Sequence, residues 1–458
     1  MEVSRNRLIF TLVVLFGINT MNFYDRQVVG AVGEKVRQQW SLNDKQLSGL
    51  TTAFILLYAA VGLPLGHWAD VGRRKIILSG GVLVWSLFTI LSGRARDYPT
   101  LFFCRLGVGV GEASCAPAAN SLLGDLFPPH RRARAIALFM LGLPIGLGSS
   151  YIISGYLTKA LTWNAALYVA GLPGLILGIL AFWLPEPERG SAEVQPVSTK
   201  RQKGSNILTV LRIPTMWWII LSGALLNLSM YALGSFLTSL LMRYHHMNIV
   251  EANWISGIAY GFGGGLGMLA GGWLGDRIAK RRVSGRMELA ALAMLLATPG
   301  FWLALQQPEG AYWRFAACLL PACMCLYFYY STVYATIQDI VVPTMRGTAM
   351  AVYFFVFYMV AAVGLYWFGW LSDHYKQQVL VGDESILYLA CAHFSGCVES
   401  PPWEAQVLTH QKEVAAQAIG LHQAMYVIPV FTAVLTLVLW AGSRTVGKDY
   451  RRLHGETP

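Results

Sequence analysis

"GHWADVGRRK" at residues 66–75 and "GWLGDRIAKR" at residues 272–281 are two versions of one phrase. Each closes an apolar run with glycine, an aromatic residue, an aspartate and then a basic cluster. One stands in each half of a 458-residue chain. A phrase that recurs at matching places in two apolar halves marks an internal repeat, a common architecture among secondary transporters.

Working outward from these two phrases, hydropathy yields twelve candidate spans, each near the length of about 20 residues that crosses a bilayer. Their limits are 8–32, 46–69, 76–95, 98–123, 133–158, 164–184, 214–242, 253–275, 287–305, 313–338, 347–372 and 421–442. The phrases end the second and eighth spans, so each closes the second helix of its set of six. The one convincing linker, "PEPERGSAEVQPVSTKRQKGSN", follows span six. It divides the chain into an N-terminal six-helix half (1–184), a cytoplasmic linker (185–213) and a C-terminal six-helix half (214–458) with a long outer loop near 373–421. The expected fold is an all-α membrane protein of twelve transmembrane helices in two pseudo-symmetric halves.

Composition supports this. The chain is 55% hydrophobic and 13% charged, against about 25% charged in soluble domains. Its net charge of +11 lies in short clusters between apolar runs, with no aromatic-interleaved basic face, which argues against a nucleic-acid partner. Arg5 and Arg7 before an apolar run imitate a signal peptide. No small-residue cleavage site follows, so a retained first helix is expected. Most of the 35 lysines and arginines fall at one end of the predicted bundle. The positive-inside rule then places both termini in the cytoplasm of a multi-pass protein of the cell (inner) membrane. Cys391 and Cys397 fall in the outer loop, where a disulfide and two unpaired thiols are equally open readings. No Cys/His spacing suggests a metal.

Charges inside spans are costly and usually functional. "MNFYDRQVVG" (21–30) puts Asp25 and Arg26 in span one, and span four carries Arg105 and Glu112. The last two are seven residues apart, on one helix face and roughly 10 Å apart along the axis. Asp25 and Arg105 lie at the same depth and can pair, either as a structural salt bridge or, with Arg26, as the charged wall of a cavity. Glu112 falls near mid-bilayer. A carboxylate there keeps its charge only beside a cation or water, so Glu112, with Asp25, is the expected proton-coupling site.

In the C-terminal half the cavity candidates are aromatic. Tyr327, Tyr330 and Tyr334 recur at helical spacing in span ten, and Tyr353, Phe357 and Tyr358 occur in span eleven. The expected cavity is polar on one wall and apolar on the other, suited to an amphipathic anion. Its substrate-facing residues would be Asn22, Arg26, Arg105, Asn120, Tyr330, Tyr334 and Phe357. The repeated phrases are either ordinary cytoplasmic charges or a gate latch built from Asp70, Arg74, Asp276, Arg277 and Arg281. "GVGVGEA" (107–113) resembles a dinucleotide fingerprint but lacks the preceding strand. Together with Gly263, Gly267, Gly271 and Gly275, spaced by four, its glycines read as close-packing faces.

"MNFYDRQVVG", "CRLGVGVGEASCAPAANSLLGDLFPP" (104–129) and "LGLPIGLGSSYIISG" (141–155) resemble the first, fourth and fifth helices of the spinster family of lysolipid and sphingolipid transporters. That family lies within the major facilitator superfamily, which the paired loop phrases also resemble. The resemblance implies the major facilitator fold and a proton-linked carrier of lysophospholipid-like or sphingoid substrates. It also implies that Asp25, Arg26, Arg105 and Glu112 are the functional charges. Val71 departs from the pattern, standing where the superfamily loop usually has a basic residue, and the long outer loop has no match.

The function expected is proton-coupled transport of an amphipathic anionic lipid by alternating access. The rivals are a proton-driven drug or organic-anion carrier of the same fold, and a non-transporting lipid sensor. No nucleophile with a neighbouring base can be placed, so no enzyme activity is expected. The expected partners are the substrate and the bilayer. No cofactor beyond the coupling proton is implied, and the working unit is expected to be a monomer.

Overall fold

The structure, a computed structural model, describes residues 4–127, 129–188, 206–342, 345–381 and 405–454. Cys391 and Cys397 lie outside these residues. The N-terminal half contains α1 (Arg5–Trp40), α2 (Asp44–Val71), α3 (Arg74–Ser92), α4 (Tyr98–Glu112), α5 (Cys115–Leu126), α6 (Pro129–Met140), α7 (Gly142–Ala160) and α8 (Trp163–Ala181). The short α9 (Asn206–Leu211) precedes α10 (Pro214–Arg243) and α11 (Ile249–Gly257). A π-helical segment (Ile258–Gly263) runs into α12 (Gly264–Ala279). The chain continues with α13 (Gly285–Leu305), α14 (Tyr312–Ile340), α15 (Arg346–Val381), α16 (Ala405–Met425) and α17 (Val427–His454).

Three pairs of these helices are single interrupted rods, and proline explains each interruption. Pro117, Pro144 and Pro429 have no N–H to donate to the carbonyls four residues earlier, at Ala113, Met140 and Met425. α4, α6 and α16 end at or just before those positions, and α5, α7 and α17 resume within one turn. Joining these pairs, and α11 to α12 through the π segment, gives one rod over each of the twelve predicted spans among the described residues, consistent with a multi-pass membrane protein of twelve crossings. Among the described residues, nine helices meet the length and hydropathy of a membrane span as single runs. α2 and the interrupted rods α4–α5 and α11–α12 are not among them.

The start of α1 and the end of α17 lie at one end of the bundle, here called the terminal end. The turns 41–43, 93–97 and 244–248 mark the opposite, distal end. Side-chain caps fix the helix starts there. Asn43 and Gln46 form a capping box on α2, Asn248 and Glu251 another on α11, and Asp97 accepts from the Thr100 N–H at the start of α4. Ser41 closes α1 in the left-handed conformation, φ 51°.

Glycine lets helices of the two halves touch backbone to backbone. A Cβ on Gly30 would stand 2.3 Å from the Gly234 carbonyl oxygen, and one on Gly148 would stand 2.9 Å from Gly261 Cα. The expected glycine face of span eight packs as read: Gly267 faces the Met324 carbonyl of α14 at 2.2 Å from its would-be Cβ. Gly109 and Gly111 press on the backbones of α2 and α3, so "GVGVG" is a packing surface.

One expectation needs correcting. Much of the outer loop expected at 373–421 is helix. α15 continues to Val381 and α16 begins at Ala405. The two pack together through buried Ala415 and Ala416, with Lys376 bonded to Glu413 at 2.9 Å.

Candidate functional site

Near the middle of α1, Asp25 and Arg26 point about 100° apart, as neighbours on a helix must. Asp25 turns into its own half. Arg105 of α4 donates to Asp25 Oδ1 at 3.0 Å, and the Thr89 hydroxyl of α3 donates to the other oxygen. Asp25 is 0% exposed and Arg105 1%, so each offsets a desolvation cost of several kcal/mol that neither could bear alone. This is the level pair expected from the sequence.

Arg26 turns the other way. Its Nε donates to Glu112 Oε2 at 2.9 Å, and its Nη1 reaches the Tyr358 hydroxyl of the opposite half at 3.4 Å. Its guanidinium lies 4.4 Å from the Tyr58 ring centre and 5.6 Å from that of Phe54, within cation–π range. The expected grouping is therefore corrected: Arg26 is partner to Glu112 and not to the Asp25 wall. Glu112 is fully buried, with its second oxygen, Oε1, accepting no hydrogen bond from the described residues. Asn22, one turn along α1 from Arg26, is also buried, with its Nδ2 unpaired among the described residues. Asn120 is exposed and bonds its own helix at Ala116. Glu112, Ala116 and Asn120 share one face of the rod, and that face passes from buried to exposed toward the terminal end.

Opposite the charges lies a belt of aromatic rings. From Tyr58 beside Arg26 it passes to Tyr358 (5.0 Å between ring centres), Phe354 (6.2 Å), Tyr334 (5.6 Å) and Tyr330 (5.6 Å). It continues through Tyr327 (5.7 Å) and Tyr260 (6.5 Å) to Tyr151 (5.5 Å). Tyr151 lies 3.0 Å from Gln27 Oε1, so the belt begins and ends against neighbouring residues of α1. Of the expected aromatic candidates, Tyr330 and Tyr334 are half-buried members of the belt. Phe357 is buried behind it, against Tyr353 and Tyr358.

The repeated phrases fasten each half internally in this conformation. Arg74, 1% exposed, bonds Asp125 and, at 2.9 Å, Glu186. Asp276 accepts from Arg286 at 2.7 Å, and Arg286 also pairs with Asp339. Arg277 lies over the Trp273 ring and Arg281 is exposed. The side chain of Asp70 lies outside the described residues. The expected latch across the terminal end is thus not what these partners form here. Asp276 and Arg286 bond within their own half, and Arg74 bonds Asp125 of its half and Glu186 at the start of the linker.

A latch across the halves stands at the distal end, where the sequence reading did not look. Arg243, at the close of α10, binds Asp44 of α2 through two nitrogens at 2.8 Å each and Glu34 of α1 at 2.7 Å. Ser372 of α15 donates to the same Asp44 at 2.7 Å. Asp373 accepts the Asp44 and Lys45 backbone N–H groups at 3.0 and 2.9 Å. Glu34, Asp44 and Arg243 are all buried. A signal was present: Glu34 extends the first span by two residues, and Arg243 directly follows the seventh.

The pattern of the Major Facilitator Superfamily matches residues 15–365. An MFS-type efflux pump of Mycolicibacterium smegmatis is 27% identical over 394 residues, covering 84% of this chain and 90% of that protein. Protein spinster homolog 1 of Xenopus laevis is 28% identical over 402 residues, covering 82% and 75%. Among solved structures, a bacterial homologue of the human lysosomal transporter Spinster, captured inward-facing and unoccupied, superposes with a TM-score of 0.84. It is 25% identical, with 98% of this chain and 99% of that one covered.

Proposed function

The chain belongs to the major facilitator superfamily and is a multi-pass membrane transporter related to the spinster proteins; from that premise we propose that it carries an amphipathic anionic lipid, such as a lysophospholipid or sphingoid, coupled to protons. The observation that carries this reading is the position of Arg26. It is a mid-span cation at the seam, held by Glu112 on one side and by the aromatic belt on the other.

An anionic headgroup competes with Glu112 for the Arg26 guanidinium, while its apolar tail lies along the tyrosine belt. Once Arg26 turns to the headgroup, Glu112 is a buried carboxylate without its cation, and taking up a proton is its cheapest state. Anion binding and protonation therefore favour each other, which is the thermodynamic content of coupling. Asp25, held by Arg105 and Thr89, supports the wall on which Arg26 swings.

The basic residues clustered at the terminal end favour placing that end, with both termini, in the cytoplasm. On that orientation the distal latch is the closed outer gate, and the conformation faces inward. Alternating access then requires the Arg243 cluster to open while the terminal-end phrases of the two halves approach. Asp70, Arg74, Asp276, Arg277 and Arg281 would act in that second state.

The likeness to an efflux pump supports a second reading, export of drugs or organic anions through the same wall. One experiment separates the two: uptake of a labelled lysophospholipid into proteoliposomes, with and without a pH gradient, by wild type and Glu112→Gln. Gradient-dependent uptake that the variant loses while still binding lipid supports the lipid carrier. Equal, gradient-independent signals in both would refute it and move the organic-anion reading ahead.

A further inference from the structure

Directly after the latch arginine, the chain forms an unusual seat. Tyr244 lies flat on His422 of α16, ring centres 4.0 Å apart and planes within 2°. His422 Nε2 is fixed by the Leu305 carbonyl at 2.8 Å. His245 is 3% exposed, edged by Tyr244 at 5.1 Å and packed on Phe315 at 4.9 Å. Its Nδ1 is buried and has no hydrogen-bond partner among the described residues. The segment that holds Arg243 in the latch is thus anchored by a neutral imidazole in an apolar slot.

We propose that His245 is a second proton site, separate from Glu112, and that its protonation on the distal side releases the Arg243 latch. This rests on the alternating-access reading above. A neutral imidazole tolerates the slot because its bare Nδ1 needs no acceptor. Protonation turns Nδ1 into a donor with nothing to bond and adds a buried charge, a state the slot cannot hold. The new Nδ1 proton reaches water only if the turn 244–248 lifts, and Arg243, two residues away, then leaves Glu34 and Asp44.

Among the described residues, the charged and titratable groups around this ring do not supply a counter-ion. Arg243 is saturated by Glu34 and Asp44, and Asp373 by the α2 backbone. Glu309, before α14, is bonded to His246, while His422 and Tyr426 are both bonded to the Leu305 carbonyl. Burial first, and the neighbouring rings of His422 and His246 second, push the His245 pKa down to about 4.

The direction follows from linkage. The closed form binds the proton weakly, while an opened turn returns His245 to the ordinary value near 6.5. Acid therefore favours opening. The effect sets in as pH falls through 6.5 and levels off below 4. At pH 5.0 the ratio of open to closed rises about 30-fold over its value at alkaline pH.

The amides of Asp44 and Lys45 report this directly, since both bond Asp373 only while the halves are latched. Their hydrogen exchange is measured on the full chain in lipid nanodiscs at pH 7.5 and 5.0, corrected for intrinsic exchange. The expected result is an increase in opening of roughly 30-fold for wild type and none for His245→Gln. His422→Phe, which keeps the flat stack on Tyr244, should retain the response. A response that survives His245→Gln would mean that Glu34, Asp44 or Asp373 carries it, and one lost in His422→Phe would move the sensor to His422. Either outcome overturns the proposal, as does a wild type indifferent to pH. Glu112→Gln should keep the distal response. If it does while lipid uptake fails throughout, the transport reading falls and the proton site stands.

Discussion

Replacing Arg243 with methionine tests the latch most directly. The substitution keeps a chain of similar length but removes the cation shared by Glu34 and Asp44, which are 1% and 4% exposed. Removing one partner of a buried ion pair costs about 3–5 kcal/mol, because the other charge is left uncompensated. That penalty falls on the distally closed form alone, since an opened distal end hydrates both carboxylates. At about 1.4 kcal/mol per tenfold, the closed-to-open ratio should fall by two to three and a half powers of ten. Spin labels introduced as unnatural amino acids at the exposed positions Arg96 and Pro308 read the distance between the two halves at this end. Pulsed electron resonance in nanodiscs should show the long-distance population of the open state displacing the short one. Adding Glu34→Gln and Asp44→Asn to the same chain removes the stranded charges and should recover much of the closed population. An unchanged distance distribution in Arg243→Met would refute the assignment of these residues as the bond that holds the halves together.

Other outcomes follow from the same geometry. Arg26→Lys keeps the charge but loses the planar fork that reaches Glu112 and Tyr358 together; a drop of about 10-fold or more in lysophospholipid affinity is expected, read by equilibrium binding. Asp25→Asn strands Arg105 at 1% exposure and should lower the melting temperature markedly, while Asp25→Asn with Arg105→Met should regain most of the loss in the same thermal assay. Gly148→Val puts branched carbons where a Cβ alone already meets Gly261 at 2.9 Å. The distal end should fail to close, seen as a shift to the long inter-label distance with the protein still folded.

How much of this could be read from the chain depends on what each feature leaves in the sequence. The rods were legible because a bilayer demands about 20 apolar residues per crossing. The Asp25–Arg105 pair was legible because helix rise places both at one depth. Arg26 and Glu112 were each recognised, but their pairing was not, since two neighbours on α1 point different ways and linear spacing does not say which one faces α4. The distal latch escaped for a different reason. Glu34, Asp44, Arg243 and Asp373 sit at span ends, where charges are ordinary, and only the approach of the two halves makes them buried. The repeated phrases were recognised as a pair, yet their partners depend on conformation: Arg74 is engaged by Asp125 and Glu186 here, and Arg286 by Asp276. The helical continuation past residue 372 was missed because α15 beyond the span and α16 are only moderately apolar and meet only in the fold, through Val379 and Ala416.

The aromatic belt and the charged wall belong almost entirely to different halves of the chain. α1 and α4 supply Asp25, Arg26, Arg105 and Glu112, while Tyr330, Tyr334, Phe354 and Tyr358 come from α14 and α15. The two sets meet where Arg26 touches Tyr58 and Tyr358, yet substitutions of Tyr330, Tyr334 or Phe354 can reshape what lies along the belt while Asp25 and Arg105 keep their bond. Selection can therefore retune cargo and energy source as two separate traits. A lineage built on this plan is free to diversify in what it moves while inheriting one unchanged way of driving the movement.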